Sequence, residues 1–353
     1  MRALEAELAQ AARRSWPGLV PADTRAALEA GILAAGTAAA QDHALGNADA
    51  GAPDGSGHIS PPGELGRQVA AQVGAAAAAL HRQGLPPAAT APVDWSKFGT
   101  VIPVLAGSPG AGASVLTTLL ADALQLAERR VLMVDLADPS RSGLAMAARS
   151  EGPWRTQAHP DMHIRFSWRA QAVVARLDTR LPVIAPGAVP PPRFWLPPLP
   201  QLHATVVDLG HDPWRVAAHP LSGAGEWLRR GTPQPRPVLA VRPTRPSLLH
   251  AEQVLARLDS WVSCAALIAP AQLVVLGARR WPAGVAGSAG RRVSALLDDA
   301  VFVPHDAELA ATGITATVTP PRLRQAVRTL LRRWDLLPGP EGPGKRLSLR
   351  GRP

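Results

Sequence analysis

Lysine, tyrosine and cysteine are nearly absent from this chain of 353 residues. Lys97 and Lys345 are its two lysines, so almost all of its positive charge comes from arginine. There is no tyrosine, and Cys264 is the one cysteine, which excludes a disulfide within the chain. A lone thiol is typical of a reducing compartment, and it is more often a small core residue than a catalytic nucleophile.

The sequence also lacks long apolar runs. No window approaches the roughly 18 uncharged apolar residues that a membrane-spanning helix needs. The opening residues, MRALEAELAQAARRSW, lack the apolar region of a signal peptide. We therefore expect a cytoplasmic protein whose membrane contact is at most peripheral.

Arginine gives the chain a net charge of +10 and an isoelectric point near 11.3. Such an excess favours anionic partners, which include nucleic acid, acidic lipid and acidic proteins. A compositional bias of the genome would produce the same excess without any partner, so both interpretations stay open at this stage.

Composition divides the chain into five segments. Residues 1–45 are alanine-rich with a helical pattern, 46–63 form a flexible stretch, and 64–100 combine a helical run with a Pro/Ala-rich linker. Residues 101–336 form the main domain, and 337–353 form a basic tail that we expect to be disordered. The first hundred residues contain no motif for catalysis or ligand binding. Their pattern is typical of either a small helical module or a disordered adaptor.

The main domain alternates apolar runs with helical patterns. Most of the runs are continuously apolar, as expected for strands that are covered on both faces. We therefore predict an α/β fold with a doubly wound, mostly parallel sheet. The predicted strands are VIPVLAG, VLMVDL, MHIRFSW, LPVIAPG, HATVVDL, PVLAVRP, AQLVVLG and AVFVPHD, and the predicted helices are ASVLTTLLADALQLAERR, SLLHAEQVLARLDSWV and PRLRQAVRTLLRRWDLL.

A glycine-rich loop joins the first of these strands to the first helix. Gly107, four further residues and Gly112 have the spacing of the P-loop pattern G-x-x-x-x-G-K-[ST]. Ala113 stands where the pattern has lysine, and Ser114 stands where it has the hydroxyl that binds Mg²⁺. Glycines allow such a loop to turn its N–H groups towards phosphate oxygens, and the helix N-terminus adds its dipole.

GSPGAGAS, together with VLMVDLADPSRSGLA after it, resembles the ParA/MinD-type (SIMIBI-class) ATPases that position plasmids, division sites and secretion machines. The GAGAS ending is similar to the Tad-pilus localisation (CpaE-like) and septum-site-determining branch, in which degenerate loops occur. Three later segments extend the resemblance: LPVIAPGAVPPP resembles the family's strand and PAG segment, HATVVDLGHDP its Walker B strand, and AVFVPHDAELAATG its late loop near the adenine base.

The resemblance implies a site for ATP and Mg²⁺. Ser114 and Asp208 would hold Mg²⁺, and Asp135 would lie near the attacking water. The family has Asp-x-Asp at that strand end, whereas two residues separate Asp135 from Asp138 here, and a strand end or helix cap is the alternative role for each aspartate. The resemblance implies catalytic roles for Asp135 and Asp138, and nucleotide contacts for Gly107, Gly110, Gly112, Ala113, Ser114, Val115, Asp208, Pro304 and Asp306.

The loop has lost both lysines that the family's KGGxGKT pattern contains, because Ser108 and Ala113 occupy their places. An ammonium about 4 Å from a phosphate oxygen contributes roughly 4 kcal/mol at an effective dielectric of 20. Its loss could weaken triphosphate binding by up to about a thousandfold. Only an arginine could replace it in this domain, and Arg141 is the nearest candidate in sequence.

Residues 321–334 form a basic amphipathic helix with five arginines. It could lie on anionic lipid or on DNA phosphates. We favour a closing helix of the fold, with its apolar stripe on the sheet and its arginines in water.

The sequence therefore predicts a degenerate ParA/MinD-like positioning or scaffolding factor with weak ATP and Mg²⁺ binding or none. It would serve DNA segregation, conjugation, septum placement or a pilus or secretion apparatus, with protein components of that machine as partners and a possible homodimer. Two alternatives stay open: an active ATPase in which arginine replaces the lysine, and a non-specific DNA-binding protein with a vestigial nucleotide site.

Overall fold

The computed structural model describes residues 91–218 and 220–338. By its internal contacts the chain divides into Met1–Leu80 and His81–Pro353, and the described residues all belong to the second unit. The predictions for the alanine-rich helices, for the flexible stretch and for most of the basic tail lie outside the described residues.

One sheet of nine strands forms the centre of the described region, in the order β11-β10-β9-β2-β7-β3-β6-β5-β4. A separate pair joins β1 to β8. The strands are β1 Val93–Asp94, β2 Thr100–Ala106, β3 Val131–Asp135, β4 Ser150–His159, β5 Met162–Arg169, β6 Ala172–Thr179, β7 Ala204–Asp208, β8 Gly231–Thr232, β9 Val238–Val241, β10 Gln272–Leu276 and β11 Val301–Val303.

Seven neighbouring strands, from β11 to β6, run parallel, and β5 and β4 add two antiparallel strands at one edge. This mostly parallel α/β sheet confirms the predicted fold class. Two details of the strand prediction are wrong. LPVIAPG is a loop that ends in a 3₁₀ turn at Pro186–Ala188, and the predicted strands omit β4 and β6.

Helices cover both faces of the parallel strands. The helices are α1 Ala113–Gln125, α2 Pro213–Ala218, α3 Arg245–Ser263, α4 Arg291–Ser294, α5 Ala307–Thr312 and α6 Pro321–Arg333. On one face, α1 and α6 pack against a core cluster with Val206 and Val274, and on the other, α3 packs against Val207 and Val275. Successive side chains of a strand point to opposite faces, so both core clusters draw on the same strands.

The packed region begins before Val101. Trp95 is fully buried, and its ring stacks on that of Trp227 with the centroids 5.6 Å apart. Phe98 packs edge-on against both rings. The end of the segment interpreted as a linker therefore belongs to the core of the domain.

The basic helix α6 packs as the closing helix that we favoured. Leu323, Val327, Leu330 and Leu331 are all buried in the core cluster that α1 shares. Because this apolar stripe is covered, it has no surface left for inserting into lipid. Among residues 91–218 and 220–338, no helix is both long enough and apolar enough to cross a membrane.

Candidate phosphate-binding site

The glycine-rich loop connects β2 to α1 as predicted. Gly112 directly precedes α1 with φ 93° and ψ 29°, a left-handed conformation that a residue with a side chain rarely adopts. Gly107 lies so close to its neighbours that a Cβ would be 2.8 Å from Val241 Cγ1 and 2.9 Å from Ala251 Cβ. Glycine is therefore required at both ends of the loop, once for conformation and once for space.

The N-terminus of α1 is open to an anion. No side chain caps it, and its first turn contains no acidic residue. The first N–H groups of a helix have no partner within the helix and carry the positive end of its dipole. A phosphate group fits such a terminus because it accepts those hydrogen bonds and carries the opposite charge.

Ala113 is the first residue of α1, so this terminus lacks the ammonium group of a P-loop. Lys97, the one lysine among the described residues, precedes β2, whereas the loop follows it. A seven-residue strand is roughly 20 Å long, so Lys97 lies at the opposite edge of the sheet. Any cation at the loop must come from an arginine.

Two carboxyl groups meet beside the loop. Asp135 ends β3 and Asp208 ends β7, and the two residues are paired partners in the register of these neighbouring strands. Both side chains are buried, with 2% and 1% of their surface exposed. Paired residues of a sheet point to the same face, so these carboxyl groups lie side by side on the face that α1 covers.

Burial raises the pKa of both aspartates, because a low-dielectric surrounding disfavours the charged form. The pKa of Asp135 rises to about 7, through burial and through the neighbouring charge of Asp208. The pKa of Asp208 is also raised by burial, against the opposing effects of Ser114 and the Gly210 N–H. Near neutral pH the pair therefore holds less negative charge than two surface carboxylates would.

Asp208 has one oxygen without a standard hydrogen bond. Its Oδ1 accepts from the Gly210 N–H at 3.0 Å, whereas the buried Oδ2 has no partner within standard hydrogen-bond geometry among the described residues. The Ser114 hydroxyl is close enough to donate to this carboxyl group in a geometry looser than a standard hydrogen bond, and this interaction lowers the pKa of Asp208. A free carboxylate oxygen next to a hydroxyl is a suitable donor set for Mg²⁺, which prefers hard oxygen ligands.

A short loop after β3 covers this pair. Asp135 accepts hydrogen bonds from the Ala137 N–H and from the Ser142 hydroxyl. Gly143 crosses Ser114 so closely that a Cβ would lie 2.5 Å from Ser114 Oγ. The position after Ser142 therefore has to be free of a side chain if this loop is to cover the site.

Asp138 is occupied by its own loop. Its Oδ1 accepts from the N–H and the hydroxyl of Ser140 at 2.9 and 2.6 Å, and its Oδ2 accepts from the Ile184 N–H at 2.7 Å. These hydrogen bonds lower its pKa and join the β3 loop to the segment after β6. Arg141, our candidate for the missing cation, is exposed in the same loop.

The late loop lies farther along the sheet. Pro304 directly follows β11, which β10 and β9 separate from β2. Asp306 caps α5 by accepting from the Leu309 N–H at 2.9 Å, and it forms an ion pair of 2.7 Å with Arg322. Val115, by contrast, lies in the first turn of α1 next to the phosphate loop. The predicted nucleotide contacts thus fall into a group around β2 and a second group at the β11 end.

Sequence reasoning missed a buried ion pair below the site. Arg169 and Asp122 are both fully buried and joined by two hydrogen bonds of 2.9 Å. Arg169 also donates to Ala147 O, Thr315 O and Thr317 O, and Asp122 also accepts from Thr319. This network joins α1, β5 and the segment before α6. A mid-helix aspartate on an apolar face was the one signal that could have indicated it.

The residues present fit a phosphate group and Mg²⁺ in part. The open N-terminus of α1 suits a phosphate, and Ser114 with Asp208 suits the metal, but position 113 supplies no positive charge. Described residues contain no group of three or more His, Cys, Asp or Glu side chains placed to hold a metal ion. Mg²⁺ would therefore depend on oxygen atoms of a bound phosphate.

The strand order, the loop and the two strand-end aspartates define a P-loop-type α/β domain with a ParA/MinD-like fold. The Tad-pilus and septum-site branch of that fold stays a prediction. No family model and no curated protein matches the sequence.

Several solved structures are similar to this chain at low sequence identity. A ParA family ATPase from Chlorobium tepidum TLS is 16% identical with a TM-score of 0.44, over 66% of this chain and 97% of that one. The MinC:MinD cell division protein complex of Aquifex aeolicus is 15% identical with a TM-score of 0.44, over 69% of this chain and 98% of that one. The septum site-determining protein MinD of Pyrococcus horikoshii OT3, complexed with Mg-ADP, is 14% identical with a TM-score of 0.41, over 67% of this chain and 96% of that one.

Proposed function

We propose that this protein is a degenerate ParA/MinD-like positioning or scaffolding factor that binds nucleotide weakly and hydrolyses little or none of it. The observation that carries the proposal is the combination of Ala113 at the start of α1 with the buried Asp135 and Asp208 beside it. The site keeps its acidic groups and has lost the lysine that would balance a phosphate.

Electrostatics explains why this combination weakens binding. A triphosphate would bring further negative charge next to two buried carboxyl groups. The lysine of a P-loop offsets such charge by roughly 4 kcal/mol at 4 Å and an effective dielectric of 20. Phosphoryl transfer depends on positioning and on neutralising the developing charge, so the rate suffers more than the affinity does. In that reaction, bound ATP would supply the γ-phosphoryl group that is transferred to water.

The similar structures suggest which processes to consider. Their names identify a ParA family ATPase and proteins of septum placement, one of them in a complex with its partner MinC. By analogy, we propose that this chain serves DNA segregation, conjugation, septum placement or a pilus or secretion apparatus. Its partners would be protein components of that machine, and a second copy of the chain is a further candidate.

A nucleotide titration tests the proposal. We expect Mg-ATP to bind the purified chain with a Kd in the millimolar range, about a thousandfold weaker than a micromolar P-loop site. The control is heat-unfolded protein, which reports non-specific binding to this arginine-rich chain. A micromolar Kd for the wild type would contradict the proposal and would favour the alternative of an active ATPase with a substitute arginine.

A second candidate function, non-specific DNA binding, is favoured by one surface. Arg242, Arg279 and Arg280 lie in the loops after β9 and β10, Arg245 is the first residue of α3, and all four are exposed. None of them has an ion pair among the described residues. Arg245 begins α3, where a cation opposes the helix dipole, and the first turn contains no acidic residue. A phosphate backbone would relieve this repulsion.

A further inference from the structure

The strand beside the phosphate loop, β9, ends in a cation next to the loop. Arg242 directly follows β9, which pairs with β2 on one side and with β10 on the other. Continuing these two registers places Arg242 level with Ser108 of the loop and with Leu276 at the end of β10. Arg242 thus stands at the carboxyl ends of three neighbouring strands, next to the loop.

The backbone of Arg242 is connected to the start of the loop. Its N–H donates to Ser247 Oγ at 3.0 Å, and Ser247 Oγ forms a buried hydrogen bond of 2.7 Å with Ser108 Oγ. Ser108 occupies the place of the first of the two missing lysines. The position of residue 242 relative to the loop is therefore fixed by two hydrogen bonds.

The guanidinium group extends towards the other end of the loop. A Cβ on Gly277 would lie 3.5 Å from Arg242 Nη1, and a Cβ on Gly112 would lie 3.0 Å from Leu276 Cδ2. Leu276 packs on Gly112, and the next residue, Gly277, lies next to the Arg242 guanidinium. This places a positive group close to the N-terminus of α1.

Within residues 91–218 and 220–338 this guanidinium has no partner. Arg242 is exposed, and among the described residues its side chain makes no ion pair and no hydrogen bond. Side chains alternate along a strand, so Arg242 continues the row of Ala240, which belongs to the core cluster of α1. Its long, flexible side chain leaves β9 on the face where a ligand at the helix terminus would lie.

A second observation indicates that a ligand is needed there. Asp208 Oδ2 is buried without a hydrogen bond in standard geometry, beside Ser114 of the first turn of α1. A buried carboxylate oxygen with only a loosely placed hydroxyl beside it costs free energy unless a proton or a cation compensates it. The uncapped terminus and Arg242 lie on one side of the loop and Asp208 on the other, because β9 and β7 flank β2.

We propose that Arg242 is the cation that gives this site its remaining affinity for phosphate: it approaches the loop from β9 and does not restore the lysine that is missing from the start of α1. The ligand is a diphosphate group, either in a nucleoside diphosphate or as free pyrophosphate. The proposal rests on the proposed function only in that the loop retains some affinity for phosphate.

The test measures binding of Mg-ADP and of Mg-pyrophosphate to the full chain by calorimetry. Arg242→Gln should weaken both by about tenfold or more, because a partly screened guanidinium–phosphate contact is worth at least one decade. Arg242→Lys should retain part of the affinity. Arg291→Gln is the matched control, since it removes an exposed arginine at the start of α4, outside the loops after β9 and β10, and should leave both affinities unchanged.

A rescue experiment separates a phosphate contact from a structural role. Adding Ala113→Lys to Arg242→Gln should restore binding of both probes, because either cation serves the same phosphate. A folding defect would not be rescued by a lysine at position 113, and circular dichroism would reveal it.

Three results would overturn the assignment: unchanged affinities in Arg242→Gln, a loss confined to ADP, or no binding of either probe to the wild type up to about 10 mM, near the weakest affinity of a specific site. The last result leaves the scaffolding function intact. Conversely, ATP turnover by the wild type would contradict the degenerate-site proposal without affecting the role of Arg242.

Discussion

Asp135 and Asp208 occupy paired positions on the neighbouring parallel strands β3 and β7, and both carboxyl groups are buried. No lysine among the described residues lies on their side of the sheet. Protonation, the hydroxyls of Ser142 and Ser114, backbone N–H groups and the charge of Arg176 stabilise the pair. A cation placed near it should change both its protonation and its affinity for phosphate.

Ala113→Lys should raise the affinity for Mg-ATP by about ten- to a thousandfold, because it restores a charge worth up to roughly 4 kcal/mol beside the phosphate. The measurement is a calorimetric titration in the presence of Mg²⁺. Ala113→Gln is the control, as it has similar length without charge. An unchanged affinity in a folded Ala113→Lys protein would show that the loop no longer forms a phosphate cradle.

Asp135→Asn should stabilise the protein at pH 8. Asp135 has its pKa raised from 3.8 to about 7 in the folded state. Between these values the folded protein binds a proton that the unfolded chain has released, so wild-type stability falls as pH rises from about 4 to 7. The shift corresponds to up to about 4 kcal/mol at 1.36 kcal/mol per pH unit.

Urea unfolding at pH 5 and pH 8 measures this difference. The asparagine variant should show a smaller loss of unfolding free energy between the two pH values than the wild type. An equal loss in both proteins would mean that Asp135 does not bind the proton. Asp178→Asn is a control on a carboxylate whose pKa is lowered by Arg165 and Arg155.

Arg169→Met should destabilise the domain by about 3 to 5 kcal/mol, because it leaves the buried carboxylate of Asp122 without its partner. Arg155→Met removes an exposed arginine that pairs with Asp178 and should cost less than about 1 kcal/mol. Denaturant unfolding of both variants gives the comparison. Similar losses for the two variants would contradict the importance assigned to the buried network.

The basic surface after β9 and β10 predicts salt-dependent DNA binding. Replacing Arg279 and Arg280 together by glutamate should reduce the slope of log K against log[salt] by about 1.8, at roughly 0.9 per phosphate contact. Arg322 and Arg333 are the matched control pair, since each already forms an ion pair. If wild-type protein shows no DNA binding at low salt, the positive charge is compositional.

The parallel part of the fold could be predicted because its strands are buried on both faces. VLMVDL is continuously apolar up to the aspartate and HATVVDL is mostly apolar, and they form β3 and β7 with every residue buried. The loop between β2 and α1 could be located from its glycine spacing together with the apolar run before it and the helical pattern after it. The packing of α6 could be predicted from its apolar stripe, because the face of the sheet would be uncovered if that stripe bound lipid instead.

The antiparallel edge could not be read in the same way. In β4, exposed residues alternate with partly buried ones, so the strand lacks an apolar run. LPVIAPG has such a run but forms a loop, in which Ile184 is buried while Val183 is 73% exposed. Its two prolines remove two N–H donors within seven residues, whereas the central strand β2 contains one proline, Pro103.

The functional contacts that were missed all join distant parts of the chain. Arg169 and Asp122 are 47 positions apart, and Ser247 is 139 positions from Ser108. Arg242 was one of many arginines in the sequence. Its place became evident once the register of β9 with β2 and β10 was known.

Steady-state ATP turnover tests the central claim most directly. The wild type, Ala113→Lys and Asp208→Ala are assayed together with Mg²⁺, and released phosphate is measured. We predict that turnover of the wild type equals that of Asp208→Ala and of buffer, because no lysine balances the charge that develops on the γ-phosphoryl group. Turnover of roughly 1 s⁻¹ or more in the wild type, in the range of ordinary enzymes, that disappears in Asp208→Ala would contradict the account.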